Sequence, residues 1–304
     1  MRKLLSGERG KMIDNSPSRR AFRVVNACLL GFYALLCLVP MYHVLCLSLS
    51  SSTAVAAGKV TFAPVDFTLK SYQFIFNKAE YWRAMGMSFF RIGAGVPFIM
   101  LMTVLAAYPL SKARREFKAQ PFFAWFFVFT MIFSGGMIPT YMVVRYTGLL
   151  NTIWSLILPV AVPVFNILLM LNFFRSVPCD IEESAFIDGA GHWRILFQIY
   201  IPVSLPAMAT LIVFTVVGQW NAWFDGMLYM NDQTLYPLQT YLQAVLVAPT
   251  AKLITKAYAE LMRVISDRTL KSAQVFIAAI PVLMIYPFLQ NYFISGIMLG
   301  SVKE

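Results

Sequence analysis

Residues 84–110, AMGMSFFRIGAGVPFIMLMTVLAAYPL, form an apolar run in which Arg91 is the one charged residue. A helix needs about 20 consecutive apolar residues to cross the hydrocarbon core of a bilayer, and this run is long enough. Five further runs meet the same condition: Val24 to about Leu49, Phe122 to about Val144, Ile153 to Phe174, about Ala207 to Met230, and Val275 to Ile297. The sequence therefore predicts an all-α membrane protein with six transmembrane helices.

The composition agrees with a membrane protein and argues against a soluble one. Of the 304 residues, 59% are hydrophobic and 13% are charged, whereas a soluble domain has about half apolar and about a quarter charged residues. The formal net charge of +11 would raise nucleic acid as a partner in a soluble protein. Here the basic residues flank apolar runs without the aromatic interleaving of a nucleic-acid groove, so we expect membrane lipid and no nucleic acid.

Metal and disulfide chemistry is not expected. His43 and His192 do not complete a metal-ligand spacing with the four cysteines, which form no CxxC pair: Cys28, Cys37, Cys46 and Cys179. About twenty mostly polar residues precede the first apolar run, and that run is too long for the core of a signal peptide. We therefore expect a retained first transmembrane helix.

Lysine and arginine close to the spans predict the orientation. They cluster before the first span and between the second and third spans: Arg2, Lys3, Arg9, Lys11, Arg19, Arg20, Arg23, Lys112, Arg114, Arg115 and Lys118. Six spans put these regions and both termini on one side, which the positive-inside rule makes cytoplasmic. The segments 50–83 and 231–271 are then external, and we expect the second of them to be partly helical.

The connection between the fourth and fifth spans, residues 175–205, is the most informative part of the chain. It contains DIEESAFIDGAGHWRILFQIYIP at residues 180–202. About 30 residues are used where a helix–helix connection usually takes only a few. Its apolar residues lie outside the spans, so they either dock on a partner protein or lie on the lipid surface: Phe186, Ile187, Trp193, Ile195, Leu196 and Phe197.

Proline and glycine divide this connection into two short helices. Pro178 blocks continuation of the fourth span. Asp180 is expected to cap the first short helix, with an acid three residues later as in a capping box. Gly189 is expected to end that helix, and Pro202 to end a second one over residues 193–200.

Three pieces of the connection resemble the EAA loop of ABC importer permeases: Glu183-Ser184-Ala185, Ile187-Asp188-Gly189-Ala190 and Ile199-Tyr200-Ile201-Pro202. Ser184 replaces the family's first alanine and Ile201 its leucine. Other stretches resemble the sugar branch of that family: Phe67-Thr68-Leu69 through Phe76, Tyr108 to Arg114, Gly218-Gln219-Trp220-Asn221, and Gly296 to Lys303.

The resemblance implies a type I ABC importer permease fold with a cytoplasmic EAA coupling helix, in the inner membrane of a bacterium. Residues 1–83 would hold the cytoplasmic tail, the first span and an external segment, and residues 84–304 the permease core. The chain would be a non-catalytic subunit of an importer of sugars or oligosaccharides. Its partners would be an ATPase dimer, a second permease subunit in a heterodimer, and an extracytoplasmic solute-binding protein.

The resemblance also assigns the coupling residues. Six positions of the EAA loop would serve ATPase coupling: Glu182, Glu183, Ala185, Asp188, Gly189 and Ala190. No GxxxxGK[ST] loop occurs in the chain, so ATP and Mg²⁺ would bind to the partner ATPase and this chain would bind no cofactor.

The substrate path is expected on the third to fifth spans, where amides and aromatic rings offer sugars hydrogen bonds and stacking faces. The candidates are Tyr141, Asn166, Gln219, Trp220, Asn221 and Trp223, with Asn172 and Asp225 as further members. Two alternatives stay open: the amides could bond across helices, and Trp220 and Trp223 could be interfacial anchors. Arg91 is expected to extend to the membrane surface.

Three other classes of protein compete with this interpretation. A permease of another ABC branch, for amino acids or phosphate, would share the EAA loop. An ion-coupled secondary transporter would need intramembrane carboxylates, and Asp225 is the one carboxylate within a span. A membrane-embedded enzyme would need a catalytic cluster, which the sequence does not offer.

The external segments hold more basic than acidic residues. A mild positive field of this kind favours an acidic substrate such as a uronate oligosaccharide, and it equally favours docking of an acidic binding protein. The sequence alone does not choose between these two interpretations.

Overall fold

The computed structural model of the chain describes residues 17–247, 268–281 and 283–284. Within these residues all regular secondary structure is helical, as predicted. Several features discussed from the sequence lie outside the described residues. They are the basic tail before residue 17, the sixth span beyond residue 284, the segment Gly296 to Lys303, and three basic residues of the external segment 231–271: Lys252, Lys256 and Arg263.

In the described part of the chain, two helices are long enough to cross a membrane without a break. Helix α1 covers Pro17–Ser48 and α4 covers Ala79–Ser111, which confirms the first two predicted spans. Two short helices lie between them, α2 at Ser52–Ala56 and α3 at Lys70–Phe76. The proposed division of the chain at residue 83 falls within α4 and stays a prediction.

Helix α1 is covered only near its end. Its side chains are exposed from Arg20 to Tyr42 and become partly covered from His43 onward. At that end, Nδ1 of His43 lies 2.9 Å from the carbonyl oxygen of Thr61. A helix that is apolar along its exposed length suits lipid or the helix of another subunit.

The third predicted span is broken rather than continuous. Helix α5, Gln120–Ile132, meets α6, Met137–Tyr146, at 115°. Gly136 lies in the break at a φ of +87°, a left-handed conformation that glycine adopts without steric cost. The sequence analysis did not predict this break, because glycine is also common within continuous membrane helices.

The fourth predicted span is bent at a proline. Helix α7, Trp154–Ile157, continues as a 3-10 turn, Leu158–Val160, and meets α8, Val164–Arg175, at 53°. Pro163 directly precedes α8, and proline cannot occupy the interior of a regular helix without breaking it. The predicted end of this span near Phe174 is confirmed.

The fifth predicted span ends early. Helix α12 covers Leu205–Asn221, and after a break the chain forms α13, Phe224–Tyr229, and α14, Leu238–Val247. Helix α14 confirms that the segment after the fifth span is partly helical.

Residues 268–281 are also helical and contain the start of the sixth predicted span. Up to five spans are described if each bent pair counts as one, so the total of six stays a prediction.

Helix α4 is the centre of the bundle and packs against α8 and α12. Ala107 of α4 and Ile167 and Met170 of α8 are completely buried between them. Gly95 permits close approach on another face, where a Cβ would lie 3.4 Å from Cγ1 of Ile157. Lipid tails are as apolar as these side chains, so close packing, rather than escape from water, holds the helices together.

We expect Gly226→Ala to destabilise the fold, because the added Cβ would lie 2.2 Å from Oγ1 and 3.0 Å from Cβ of Thr240. Rotating a branched threonine cannot relieve both overlaps, so α13 and α14 must separate, at a cost of about 1–3 kcal/mol. Thermal unfolding of the purified protein in detergent measures the effect. Gly93→Ala is the matched control, since a Cβ there meets nothing within 4 Å. Equal melting temperatures for the two variants would contradict this packing.

Candidate functional site

Two short helices occupy the connection singled out in the sequence, and we call residues 179–203 the knob. Its first helix is α9, Cys179–Ile187. Pro178, at φ −58° and ψ 132°, takes the position before the helix, so Asp180 lies in the first turn and does not cap it. The prediction that Asp180 caps the helix is therefore wrong, because the cap position lies two residues earlier, at Pro178. Acids in the first turn still stabilise a helix through its dipole.

Gly189 makes the sharp turn after α9. Its φ is +80°, in the left-handed region, and its N–H donates a hydrogen bond to the Phe186 carbonyl at 3.0 Å. The next N–H, of Ala190, donates to the Ala185 carbonyl at 2.9 Å. This is the glycine-terminated helix end that the sequence predicts.

The second short helix continues beyond its predicted end. It begins as α10, His192–Ile195, continues through a π-helical stretch, Leu196–Tyr200, and ends as α11, Ile201–Val203, so Pro202 does not stop it. Proline is tolerated in the first turn of a helix, and a new α-helical turn begins one residue before this proline. The segment ends at Ser204, where α12 follows at an angle of 81°.

Five of the six coupling candidates lie on the surface of the knob. Glu183, Asp188 and Gly189 are exposed, while Ala185 and Ala190 are half-buried. A groove of about 210 Å³ lies between the two short helices, lined by Ala185, Asp188, Ala190, Arg194, Ile195, Gln198 and Ile199. The surface therefore combines exposed carboxylates with a groove whose lining is part apolar and part polar.

The sixth coupling candidate, Glu182, points into the chain. Its side chain is 13% exposed and forms an ion pair with Lys112 at the end of α4. Its other carboxylate oxygen accepts a hydrogen bond from the Tyr200 hydroxyl at 2.5 Å. The carboxylate of Glu182 is thus bonded within the protein and does not lie on the groove.

Arg91 is buried in the bundle and does not extend to the membrane surface, so that prediction is wrong. The residue is 1% exposed, and its Nη2 lies 2.5 Å from Oδ2 of Asp225. Its Nε donates to Oε1 of Gln219 at 2.6 Å. A buried guanidinium needs an anion and acceptors for its N–H groups, and Asp225 and Gln219 supply them from the fifth predicted span.

The buried substrate-path candidates bond across helices. Gln219 is 7% exposed and engaged by Arg91. Trp220 is 2% exposed and donates its indole N–H to the Ala278 carbonyl at 3.2 Å. Asn166 donates to the Thr215 hydroxyl at 3.3 Å. These contacts match the alternative of cross-helix bonding, and they leave contact with substrate at these three positions a prediction.

Asn221 and Trp223 face an open cavity instead. Its volume is about 350 Å³, and both side chains are exposed. Gln239 and Gln243 of α14 line the same cavity, and the sequence did not single them out because α14 lies outside the predicted spans. The cavity is further lined by Met41, Leu242, Val275, Ala278, Ala279 and Leu283.

The remaining candidates lie apart from this cavity. Tyr141 stacks on Tyr229 with ring centroids 6.4 Å apart and an interplanar angle of 15°. Asn172 is exposed near the end of α8. The predicted substrate-path residues therefore do not converge on one site within the described part of the chain.

No three His, Cys, Asp or Glu side chains come together as a metal site within the described residues. The expectations of no bound metal and no cofactor stay predictions.

Comparison with known proteins places these features in a family. Residues 116–236 match the model of the family described as "Binding-protein-dependent transport system inner membrane component". The polygalacturonan/rhamnogalacturonan transport system permease protein YtcP of Bacillus subtilis (strain 168) is 37% identical over 92% of this chain and 99% of its own length. Protein LplC of the same organism is 37% identical over 96% of this chain and 98% of its own length.

A solved structure has the same fold. It is the crystal structure of a bacterial ABC transporter involved in the import of the acidic polysaccharide alginate. One of its chains is 34% identical to this one, with a TM-score of 0.83, and the match covers 91% of this chain and 98% of that one. The helical bundle described above therefore has the fold of a type I ABC importer permease.

We expect Asp225→Asn to destabilise the protein by about 3–5 kcal/mol, because it leaves the buried Arg91 guanidinium without its counter-charge. Arg91→Met should cost less, because the Asp225 carboxylate that it leaves is 23% exposed. The double variant is expected to lose much less than the sum of the two. Unfolding of the purified protein in detergent completes this double-mutant cycle. Arg145→Met is the matched control at an exposed arginine, with little expected change. Additive losses would show that the pair is not coupled.

Proposed function

We propose that this chain, which belongs to the family of binding-protein-dependent transport system inner membrane components, forms half of the translocation pathway of an ATP-driven importer of oligosaccharides. It is a permease subunit of a sugar ABC importer and an inner-membrane protein. The observation that carries this conclusion is similarity to such permeases along nearly the whole chain, on the same fold.

The proposed contact with the ATPase dimer is the surface of the knob. Glu183 and Asp188 offer carboxylates to basic residues of that partner, and Ile187 is 86% exposed. An exposed apolar side chain rimmed by charges is typical of a docking surface. ATP and Mg²⁺ would bind to the ATPase, and this chain would supply no catalytic residue. The knob and both termini would then lie in the cytoplasm.

The proposed second permease subunit would cover helices that this chain leaves open. Residues 20–42 of α1 are exposed, and α5 has no buried residue. A pathway enclosed by two similar subunits would account for both surfaces, and a solute-binding protein would deliver the substrate from outside. We propose further that the two permease subunits differ in sequence and form a heterodimer.

The proposed substrate is an acidic oligosaccharide. By their names, one relative transports polygalacturonan or rhamnogalacturonan and the solved transporter imports alginate. Lys59, Lys70, Arg83 and Arg145 are exposed in the segments expected outside the membrane. A positive field there attracts polyanions and raises their local concentration.

Other transporter classes explain the structure less well. An ion-coupled mechanism needs an intramembrane carboxylate that can gain and lose its ion or proton. Asp225 instead forms an ion pair with Arg91 within the bundle. A permease for amino acids or phosphate would share the knob, but the full-length similarity is to polysaccharide permeases.

Gly189→Pro is expected to abolish uptake and to release the ATPase from the purified complex. Proline fixes φ near −65°, whereas Gly189 needs +80° and its N–H is hydrogen-bonded to Phe186. Glu183→Arg should weaken docking by reversing a surface charge. Co-purification of the ATPase and uptake in whole cells measure both effects.

The controls change similar residues where docking is not expected. Gly191→Ala lies two residues away at a φ of −80° and a Cβ there meets nothing within 4 Å. Glu80→Arg reverses an exposed acid at the opposite end of α4. Full uptake and a complete ATPase complement in Gly189→Pro and Glu183→Arg would refute the docking proposal.

Uptake of matched oligosaccharides tests the substrate class. Oligogalacturonate is expected to be imported faster than a neutral oligosaccharide of equal length, and the preference should weaken at high salt because salt screens surface charge. Proteoliposomes containing the two permease subunits, the ATPase and the binding protein are the assay. Equal rates for both sugars would rule out selection for acidic substrates.

A further inference from the structure

One buried lysine joins the end of α4 to the knob. Lys112 directly follows α4 and is 8% exposed. Its ammonium group pairs with Glu182 of α9 and donates a hydrogen bond to the Tyr200 hydroxyl at 3.1 Å. That hydroxyl in turn donates to the other oxygen of Glu182 at 2.5 Å. The three polar groups form a closed ring in which every charge and hydroxyl is bonded.

Two aromatic rings enclose the same ammonium group. Its nitrogen lies 4.2 Å from the ring centroid of Tyr108 and 4.3 Å from that of Tyr200. The two rings meet edge to face with centroids 5.2 Å apart, and Phe174 of α8 packs 5.3 Å from Tyr200. Cations are held strongly in such cages when water is excluded. We call Tyr108, Lys112, Glu182 and Tyr200 the lysine joint.

The chain on either side of α9 contains points at which it can pivot. Before α9, the helix α8 stops at Arg175, and Pro178 precedes the first turn. After α9 come the turn at Gly189 and the π-helical stretch, then an 81° bend into α12. The backbone alone therefore fixes the orientation of α9 poorly with respect to α4, and the side-chain contacts of the lysine joint supply that link.

Stability alone does not account for a buried ion pair here. Replacing such a pair with apolar side chains of similar size is often neutral or stabilising. The pair adds geometric specificity instead. An ion pair with matched hydrogen bonds resists both separation and sliding of α4 and α9 relative to each other. A purely apolar contact also resists separation, but it fixes the relative position of the two helices less specifically.

We propose that the lysine joint passes movement of the knob to α4, with Lys112 as the positioning residue. The proposal rests on the proposed function, in which an ATPase moves the knob. Backbone connections carry that movement to α8 and α12, which adjoin the knob in sequence. Helix α4 is distant in sequence from the knob, yet it is the helix that both of them pack against, and the lysine joint is its direct bond to α9.

The ratio of ATP hydrolysed to oligosaccharide imported tests this role. The complete transporter is reconstituted in proteoliposomes with oligogalacturonate, or with the neutral oligosaccharide of the earlier assay if wild type prefers it. For Lys112→Met we expect the ATPase to stay bound while import per ATP falls about tenfold, a size typical of coupling between sites. A general folding defect would lower both activities together and leave their ratio unchanged.

Two further variants complete the design. Tyr200→Phe keeps both rings and removes one hydroxyl, so it should fold and show a smaller fall in the same ratio. Lys118→Met, at an exposed lysine of the same loop, is the matched control and should keep the wild-type ratio. If Lys112→Met does not accumulate in the membrane, Tyr200→Phe decides the question by the same measurement.

The outcomes separate this inference from the proposed function. A wild-type ratio in Lys112→Met and Tyr200→Phe overturns the lysine joint, and so does loss of the ATPase from Lys112→Met, because the joint lies behind the docking surface. Retention of the ATPase by Gly189→Pro and Glu183→Arg instead overturns docking at the knob, whatever the Lys112 variants do.

Discussion

A polar side chain inside a bilayer has no water to bond, so it must find its partners within the protein. Arg91 meets this constraint with the Asp225 carboxylate, the Gln219 amide and, at 3.4 Å, the Leu156 carbonyl. These groups belong to separate parts of the chain, and one guanidinium brings them to α4. Apolar packing has no comparable directional preference in lipid, so this network specifies which helices lie next to one another.

A similar constraint acts where α4 ends. Lys112 is buried there against Glu182 and two aromatic rings. The 21 residues from Arg91 to Lys112 correspond to about 30 Å of helix, close to the thickness of the hydrocarbon core. One long helix is therefore bonded by a charged side chain at two levels, through Arg91 in its first half to α12 and α13, and through Lys112 at its end to the knob. This arrangement suits a helix that relates movement on one side of a membrane to the other.

Features that depend on the composition of long stretches, such as the spans, were predicted from the sequence. Features that single side-chain contacts determine, such as the partners of Arg91, were not. Apolar runs identified the spans, and Pro178 and Gly189 marked the limits of α9. The break at Gly136 was missed because glycine is also common within membrane helices. The partners of Arg91 were missed because Asp225 is 134 residues away in the chain, and only the fold brings them together. Gln239 and Gln243 were missed because cavities are defined by residues from several helices.

The π-helical stretch Leu196–Tyr200 has a geometric consequence for the length of the chain. A π turn contains one residue more than the α turn it replaces, and each residue of an α-helix advances the direction of side chains by about 100°. Deleting a single residue here would restore a regular α-helical turn and leave Trp193 and its neighbours at nearly the same azimuth, because the turn is then completed with one residue fewer. A one-residue deletion should therefore be tolerated better within Leu196–Tyr200 than in the regular helix of α9, where it would rotate the side chains that follow by about 100° about the axis.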